Sequence, residues 1–427
     1  MAANAIKRDE RYGELAMLAG ELREIGISSG LDAVGITDAS AFLSTRKDLE
    51  DRKVMGLHGG MHFTYGHPER STDPGMVLKG ARSMVVGARS YGRSLALQRG
   101  NETEQGEQSE GCRRGCENDQ PVGPLGRVAR YSWQDQYTPL RASLEAMSAT
   151  LEEHGFKSLV LVDDNRMVDK AAAHRAGLGW FGKNTLMLLP GRGSWFVIGS
   201  VLTDACLAPA ERPQPDGCGS CNRCMSACPT GALVAPGVLD ARRCLAWLLE
   251  APGSFPTEHR VALGDRIYGC DICQEVCPVN VRSDRRSPPP PPGPDDEQVV
   301  DLAWVLQASD EDLVSRFSRW YIPRRQARYV RRNALVALGN SADGDSPAVE
   351  RVLQLALRDT DPLVREHAQW AAKRLGRLDL LGDVGEDDAQ FGVGFIGDAE
   401  AMAKVEPVAS GTQTTRSSTA AVSHGVR

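Results

Sequence analysis

The stretch CGSCNRCMSACP, Cys218 to Pro229, decides how the centre of this chain folds. Cysteines at 218, 221, 224 and 228 with a closing proline make the C-x2-C-x2-C-x3-C-P run, in which three thiolates hold one four-iron cluster and the fourth serves another. A second cluster is thereby implied, and its thiols lie downstream in CDICQEVCP, where Cys270 and Cys273 share a CxxC turn and Cys277 precedes Pro278. That segment is one cysteine short of a full run, so Cys244 is recruited as the eighth ligand. Reciprocal exchange then puts Cys218, Cys221, Cys224 and Cys277 on one 4Fe-4S cluster and Cys228, Cys244, Cys270 and Cys273 on the other. A four-cysteine zinc site needs neither the third cysteine two residues on nor the CP ending. Two clusters make the chain a redox protein of a reducing compartment.

Working outward, the 427 residues include eleven cysteines, a charge of -6, 41% hydrophobic and 25% charged residues. Chains of this length seldom need disulfide staples, and regular three-residue spacings favour metal ligation. No run reaches the roughly 18 apolar residues of a membrane span. Met1 to Gly13 has no apolar stretch of the secretory type, so the reading is a cytoplasmic protein without a membrane partner. The acidic balance argues against bulk attraction to nucleic acid while permitting a local basic face.

Before the cysteines, residues 1–205 alternate helical and strand-like runs. Glu14 to Ile25 has helical period; Ala33 to Thr37, Met84 to Ala88, Ser158 to Val162 and Trp195 to Thr203 read as strands, giving an α/β or α+β domain. Arg99 to Gln120 is polar and reads as a surface insertion, carrying Cys112 and Cys116 as exposed thiols; Cys206 reads as a small buried hydrophobe. Residues 206–286 form the ferredoxin-type domain. Residues 287–298, with five successive prolines, form a stiff linker. Val299 to Leu306, Asp310 to Phe317, Val330 to Gly339, Ala348 to Arg358 and Leu363 to Leu375 have helical spacing, and the Arg-led, Ala/Leu-rich helices around the DTDPLVR turn suggest HEAT-like pairs over 299–376. Residues 377–427 read as a disordered tail.

RAGLGWFGKNTLML (Arg175 to Leu188), GSW at Gly193, the double cysteine motif, IYGCDICQEVCPVN and the Arg-Asn-Ala-Leu helix together resemble the epoxyqueuosine reductases, from near residue 30 to about 376. The resemblance implies a cobalamin-binding catalytic domain related to that of reductive dehalogenases, two 4Fe-4S clusters, tRNA as partner, an external electron donor and a monomer. The implied reaction removes the epoxide oxygen from epoxyqueuosine at the wobble position of tRNA to give queuosine. By register the family's proton donor falls on Asp163, at the end of the strand Ser158 to Val162, with Asp164 and Asn165 suited to capping the next helix. Opening an epoxide leaves an oxygen that must be protonated, a task for a carboxylic acid whose pKa a cleft has raised.

The same resemblance implies cobalamin contacts at Arg70, Met187 and Ile198, with Asp271 beside the nearer cluster. For these, core packing or a surface ion pair remain open alternatives. Lys183 and Asn184 follow Gly182 and read as side chains that satisfy loop carbonyls. One departure is WQDQYT, Trp133 to Thr138, where Thr138 takes the place expected for a family histidine. Arg324, Arg325, Arg328, Arg331 and Arg332, with Trp320, Tyr321 and Tyr329, form a basic aromatic cluster suited to tRNA. Two other readings stand beside the reductase: a corrinoid iron-sulfur reductase of a small molecule, and a non-catalytic electron-transfer protein.

Overall fold

Near-continuous apolar runs over 83–90 and 196–203 build the sheet on which the molecule is organised. The structure, a computed structural model, describes residues 2–91, 123–289, 293 and 296–382, with the backbone alone for 2–12. The insertion at 99–120 with Cys112 and Cys116, part of the proline linker and residues 383–427 lie outside the described residues. In chain order the strands are β1 (Ala33–Asp38), β2 (Ser83–Ser90), β3 (Leu125–Val128), β4 (Ser158–Val162), β5 (Trp180–Phe181), β6 (Met187–Leu188), β7 (Phe196–Thr203), β8 (Leu233–Ala235), β9 (Val238–Leu239), β10 (Arg266–Tyr268) and β11 (Val299–Asp301). No helix among the described residues is long and apolar enough to cross a membrane.

β1, β2, β7 and β4 form one antiparallel sheet in that order. Because successive side chains point to opposite faces, β2 sends Val85 into the core beneath helices Ala2–Ser28 and Tyr137–Glu153, while Met84, Val86 and Ala88 face the helix Asp169–Arg175. With both faces covered, β2 is buried along nearly its whole length. Gly35 permits the second helix layer to come close, since a Cβ there would lie 2.3 Å from the Ala176 carbonyl oxygen.

A second sheet joins distant parts of the chain: β10 runs parallel to β3, and β11 antiparallel to it on the other side. Here the expected helix over 299–306 is corrected. The β-branched pair Val299 and Val300 is recruited by the open edge of β3, and only at Asp301, whose carboxylate caps Ala303 and Trp304 N–H groups, does helix Leu302–Gln307 begin. Helices Asp310–Arg316, Arg328–Ser341, Pro347–Leu357 and Pro362–Arg374 then share one core with this sheet. Cys206 is also corrected. It is exposed between buried Ala205 and Leu207, on the irregular chain that leaves β7.

The arginines of the expected basic cluster are largely structural. Arg332 is fully buried and donates to the carbonyls of Leu248, Leu249, Ala251 and Gly253, closing the C-terminal end of helix Leu245–Glu250. Arg325 binds carbonyls at the end of helix Asp310–Arg316, including Val314 O at 2.6 Å, Arg328 pairs with Asp361, and Arg331 reaches Asp310. Trp320 stacks between Tyr268 and Phe317, and Tyr329 is buried, which leaves Tyr321 as the exposed aromatic of the set.

Arg332→Leu is expected to lower stability by about 3 kcal/mol or more, because it strands buried carbonyls without a donor. Arg331→Ala breaks a pair whose acid is 75% exposed and is expected to cost at most about 1 kcal/mol. Urea midpoints of the two variants, equal within error, would remove the structural role assigned to Arg332.

Candidate active site

Four segments deliver the eight cysteines. Cys224 stands inside the short helix Arg223–Ala227 and Cys228 follows it; Cys244 caps helix Leu245–Glu250; Cys273 lies in helix Ile272–Glu275; Cys277 caps Pro278–Arg286. Cys244 and Cys277 thus sit at helix N-termini, and the backbone N–H groups of Ala246 and Trp247 favour the ionised Cys244 thiol. The thiols feel one another's charge: Cys224 with Cys218 and Cys277, and Cys228, Cys244, Cys270 and Cys273 in a chain of neighbours that Cys224 also touches through Cys273; for Cys221 no such interaction is resolved. Burial pushes the Cys270 thiol up to about 11 and that of Cys273 well above its ordinary value. Cys228 goes the other way. Burial opposes ionisation, but the Ala232 N–H and the Thr230 hydroxyl, with further backbone donors, hold its thiol below the usual range. Among the described residues no three His, Cys, Asp or Glu side chains converge on a single metal ion.

A cavity of about 430 Å³ lies against the second group. Cys228, Cys244, Cys270 and Cys273 line one side, Asp163 and Asp169 are also in its wall, and Tyr91, Tyr131 and Tyr137 contribute phenols. Asp163 directly follows β4 with φ of 50°, the left-handed region that non-glycine residues seldom adopt. Water reaches it through the cavity, yet partial desolvation by the surrounding protein, and then the Asp164 charge, raise its carboxyl pKa. Asp164 differs: the Arg166 guanidinium binds it at 2.6 Å and holds it below the ordinary value. Asp164 caps the turn at Arg166 rather than the next helix, whose N-cap is Val168. Asp169 is driven well upward by burial and by Asp163 and Asp164, and its Oδ1 is buried without a hydrogen-bond partner.

Of the residues singled out in the sequence, Asp163, Met187, Ile198 and Asp271 all line this cavity; Arg70, exposed on the helix Pro68–Ser71, does not. Asp271 rises to about 6 through burial, although the Arg130 N–H at 2.6 Å and the Gln274 amide oppose the rise. Lys183 donates to Gly219 O at 2.7 Å and to Asn222 Oδ1, and Asn184 donates to Cys273 O at 3.4 Å. The KN pair therefore clamps both cysteine loops, the carbonyl-satisfying role expected of it. Thr138 is exposed at the start of its helix, whereas the neighbouring Tyr137 reaches the cavity. Asp169 and Tyr131 escaped the sequence reading; their signals were the DK following the Asp163 turn and the tyrosine just before WQDQYT.

The GSW segment is locked to the cluster region by Asn280, which is fully buried: its Oδ1 accepts Ser194 N–H at 2.7 Å, and its amide donates to Ser194 Oγ and Gln274 O, both at 2.9 Å.

Residues 217–280 match the family of 4Fe-4S double cluster binding domains. An epoxyqueuosine reductase of Bacillus anthracis is 32% identical over 81% of this chain and 86% of its own length. An epoxyqueuosine reductase solved with an epoxyqueuosine-modified tRNA-Tyr stem loop superposes with a TM-score of 0.71 at 30% identity, over 84% of this chain and 90% of that one. The Bacillus subtilis enzyme, solved with its catalytic aspartate loop swung out of the active site, gives 0.71 at 29% identity over 87% and 95%.

Gly193 has φ of 78°, and a Cβ there would lie 2.0 Å from Asn280 Oδ1, whereas Gly80 has φ of 87° with nothing within 4 Å. Gly80→Ala is expected to cost only the left-handed strain, about 1 kcal/mol. Gly193→Ala should lose clearly more stability and also reduce bound iron per chain; equal losses in thermal unfolding would refute the clash with Asn280.

Proposed function

The chain belongs to the epoxyqueuosine reductase family, and we propose that Asp163 is its proton donor and that the two thiol groups hold the clusters feeding electrons to the cavity. The reaction is reduction of epoxyqueuosine in tRNA, with electrons carried by a 4Fe-4S double cluster domain. One observation carries the site assignment: a single cavity is lined both by Cys228, Cys244, Cys270 and Cys273 and by Asp163, so an electron source and an acid face the same cleft. The swung-out aspartate loop of the Bacillus subtilis relative supports placing the acid on a strand-end loop. On this reading Cys218, Cys221, Cys224 and Cys277 hold the outer cluster, and an external donor reduces it.

The chemistry of the lining suits a corrinoid. Met187 from β6 and Ile198 from β7 offer apolar floor, and the unpartnered Asp169 Oδ1 is an acceptor for an amide on the rim of such a ring. Bound there, a corrinoid would supply two-electron chemistry at the epoxide carbon. The protein's own share is to orient the modified base and to present Asp163, whose carboxyl pKa is raised by partial desolvation and by the Asp164 charge, as an acid. The exposed Tyr321 and Arg324 remain available to the anticodon loop, beside short HEAT-like helices.

Anaerobic reconstitution with iron, sulfide and cobalamin, then one turnover on tRNA carrying epoxyqueuosine, is expected to yield a nucleoside lighter by one oxygen. Asp163→Asn should slow that step about a hundredfold or more while leaving tRNA affinity and iron content intact. Cys244→Ser should lose one of the two clusters, whereas Cys206→Ser should lose neither. An unchanged rate in Asp163→Asn, or full iron in Cys244→Ser, removes the corresponding assignment.

A further inference from the structure

A second acid stands behind the cavity wall. Glu250 ends the helix Leu245–Glu250, and Tyr131, itself a cavity residue, donates its hydroxyl to Glu250 Oε1 at 3.2 Å. Tyr131 is held in place by its neighbours: the Arg130 N–H is bound by Asp271, and the Trp133 indole donates to Val128 O at 2.8 Å. The titratable groups facing Glu250 come from several elements: Tyr131, Tyr268 of β10, Asp163, Tyr137, Tyr321 and, along its own helix, Cys244. Among the described residues no cation acts on it, and burial pushes the carboxyl up to about 7 against the pull of the Tyr131 and Tyr268 hydroxyls. Cys244 lies at the opposite end of the same helix, roughly 9 Å away by helical rise.

Removing an epoxide oxygen to leave a double bond breaks two C–O bonds, forms one C=C bond and releases water. It consumes two electrons and two protons. Asp163 carries one proton per visit. We propose that Glu250 delivers the second proton through the Tyr131 hydroxyl. With Glu250 protonated that 3.2 Å bond reverses, Glu250 donating to the Tyr131 oxygen; as the substrate oxygen departs, Tyr131 gives it a proton and takes the one held on Glu250, while the electrons come from the external donor through the iron-sulfur domain. Glu250 stands behind Tyr131 and acts through it, so it is a positioning and relay residue. The inference rests on the reductase reading and adds a proton path to it.

The test measures single-turnover rates against pH for the reconstituted wild type, Glu250→Gln, Glu250→Asp and Tyr131→Phe, with iron content checked in each. The relay works with Glu250 protonated, so the wild-type rate should fall as pH rises through about 7. Glu250→Gln should lose that limb and run about a hundredfold slower at neutral pH, with the KM for tRNA unchanged. Tyr131→Phe should reproduce the effect, and Glu250→Asp should restore part of the rate together with a titrating limb. A readout independent of turnover is the infrared band of a protonated carboxyl, which should titrate near neutrality in the wild type and be missing in Glu250→Gln. Variants that keep their iron and match the wild-type rate profile within about twofold would overturn the relay alone. An inert wild type that binds its clusters would overturn the reductase reading and the relay with it.

Discussion

Asn280 joins two parts of the chain that the reaction needs side by side. It stands two residues after Pro278, at the head of the helix that Cys277 caps, and its buried amide reads the backbone and hydroxyl of Ser194, just before β7. A buried amide left unmatched costs more than the bond gains, so this contact specifies position. Through it the cysteine loops are referenced to the central antiparallel sheet, and therefore to Asp163, which hangs from a neighbouring strand of that sheet. Lys183 and Asn184 add a second reference from the opposite side. Electron source and acid are thus positioned by hydrogen bonds to loops, with the sheet as common frame.

The electrostatics follow from the groups these bonds enclose. Asp163, Asp169, Asp271 and Glu250 all titrate above their ordinary values, with desolvation the leading cause in each. Asp164, one residue from Asp163, goes the other way because an arginine fork takes it. Adjacent carboxyls of identical chemistry are thus pushed apart, the pKa of one raised and that of the other lowered. The thiols Cys270 and Cys273 share the resistance to negative charge, which metal coordination relieves by removing the proton outright.

Cysteine spacing made the redox centre legible before any fold was known, because ligand geometry is local along the chain. The strands flanking Asp163 were legible too, since a short apolar run ending in DD has one reading for its period. The relay pair was not. Tyr131 and Glu250 lie 119 positions apart and meet only because β3 and β10 pair in parallel, a long-range choice that side-chain pattern does not encode. The same limit hid the strand at Val299, whose apolar spacing also fits a helix until the edge of β3 claims it. The arginines around 324–332 misled for another reason: charge in sequence does not reveal that four carbonyls at a helix end await Arg332.

The left-handed backbone at Asp163 has a consequence for aim. Holding a non-glycine residue there costs about 1 kcal/mol. The fold around it sustains that conformation, with Asp164 one residue on held by the Arg166 guanidinium, so the direction of the Asp163 carboxyl is set by the backbone before any side-chain rotation.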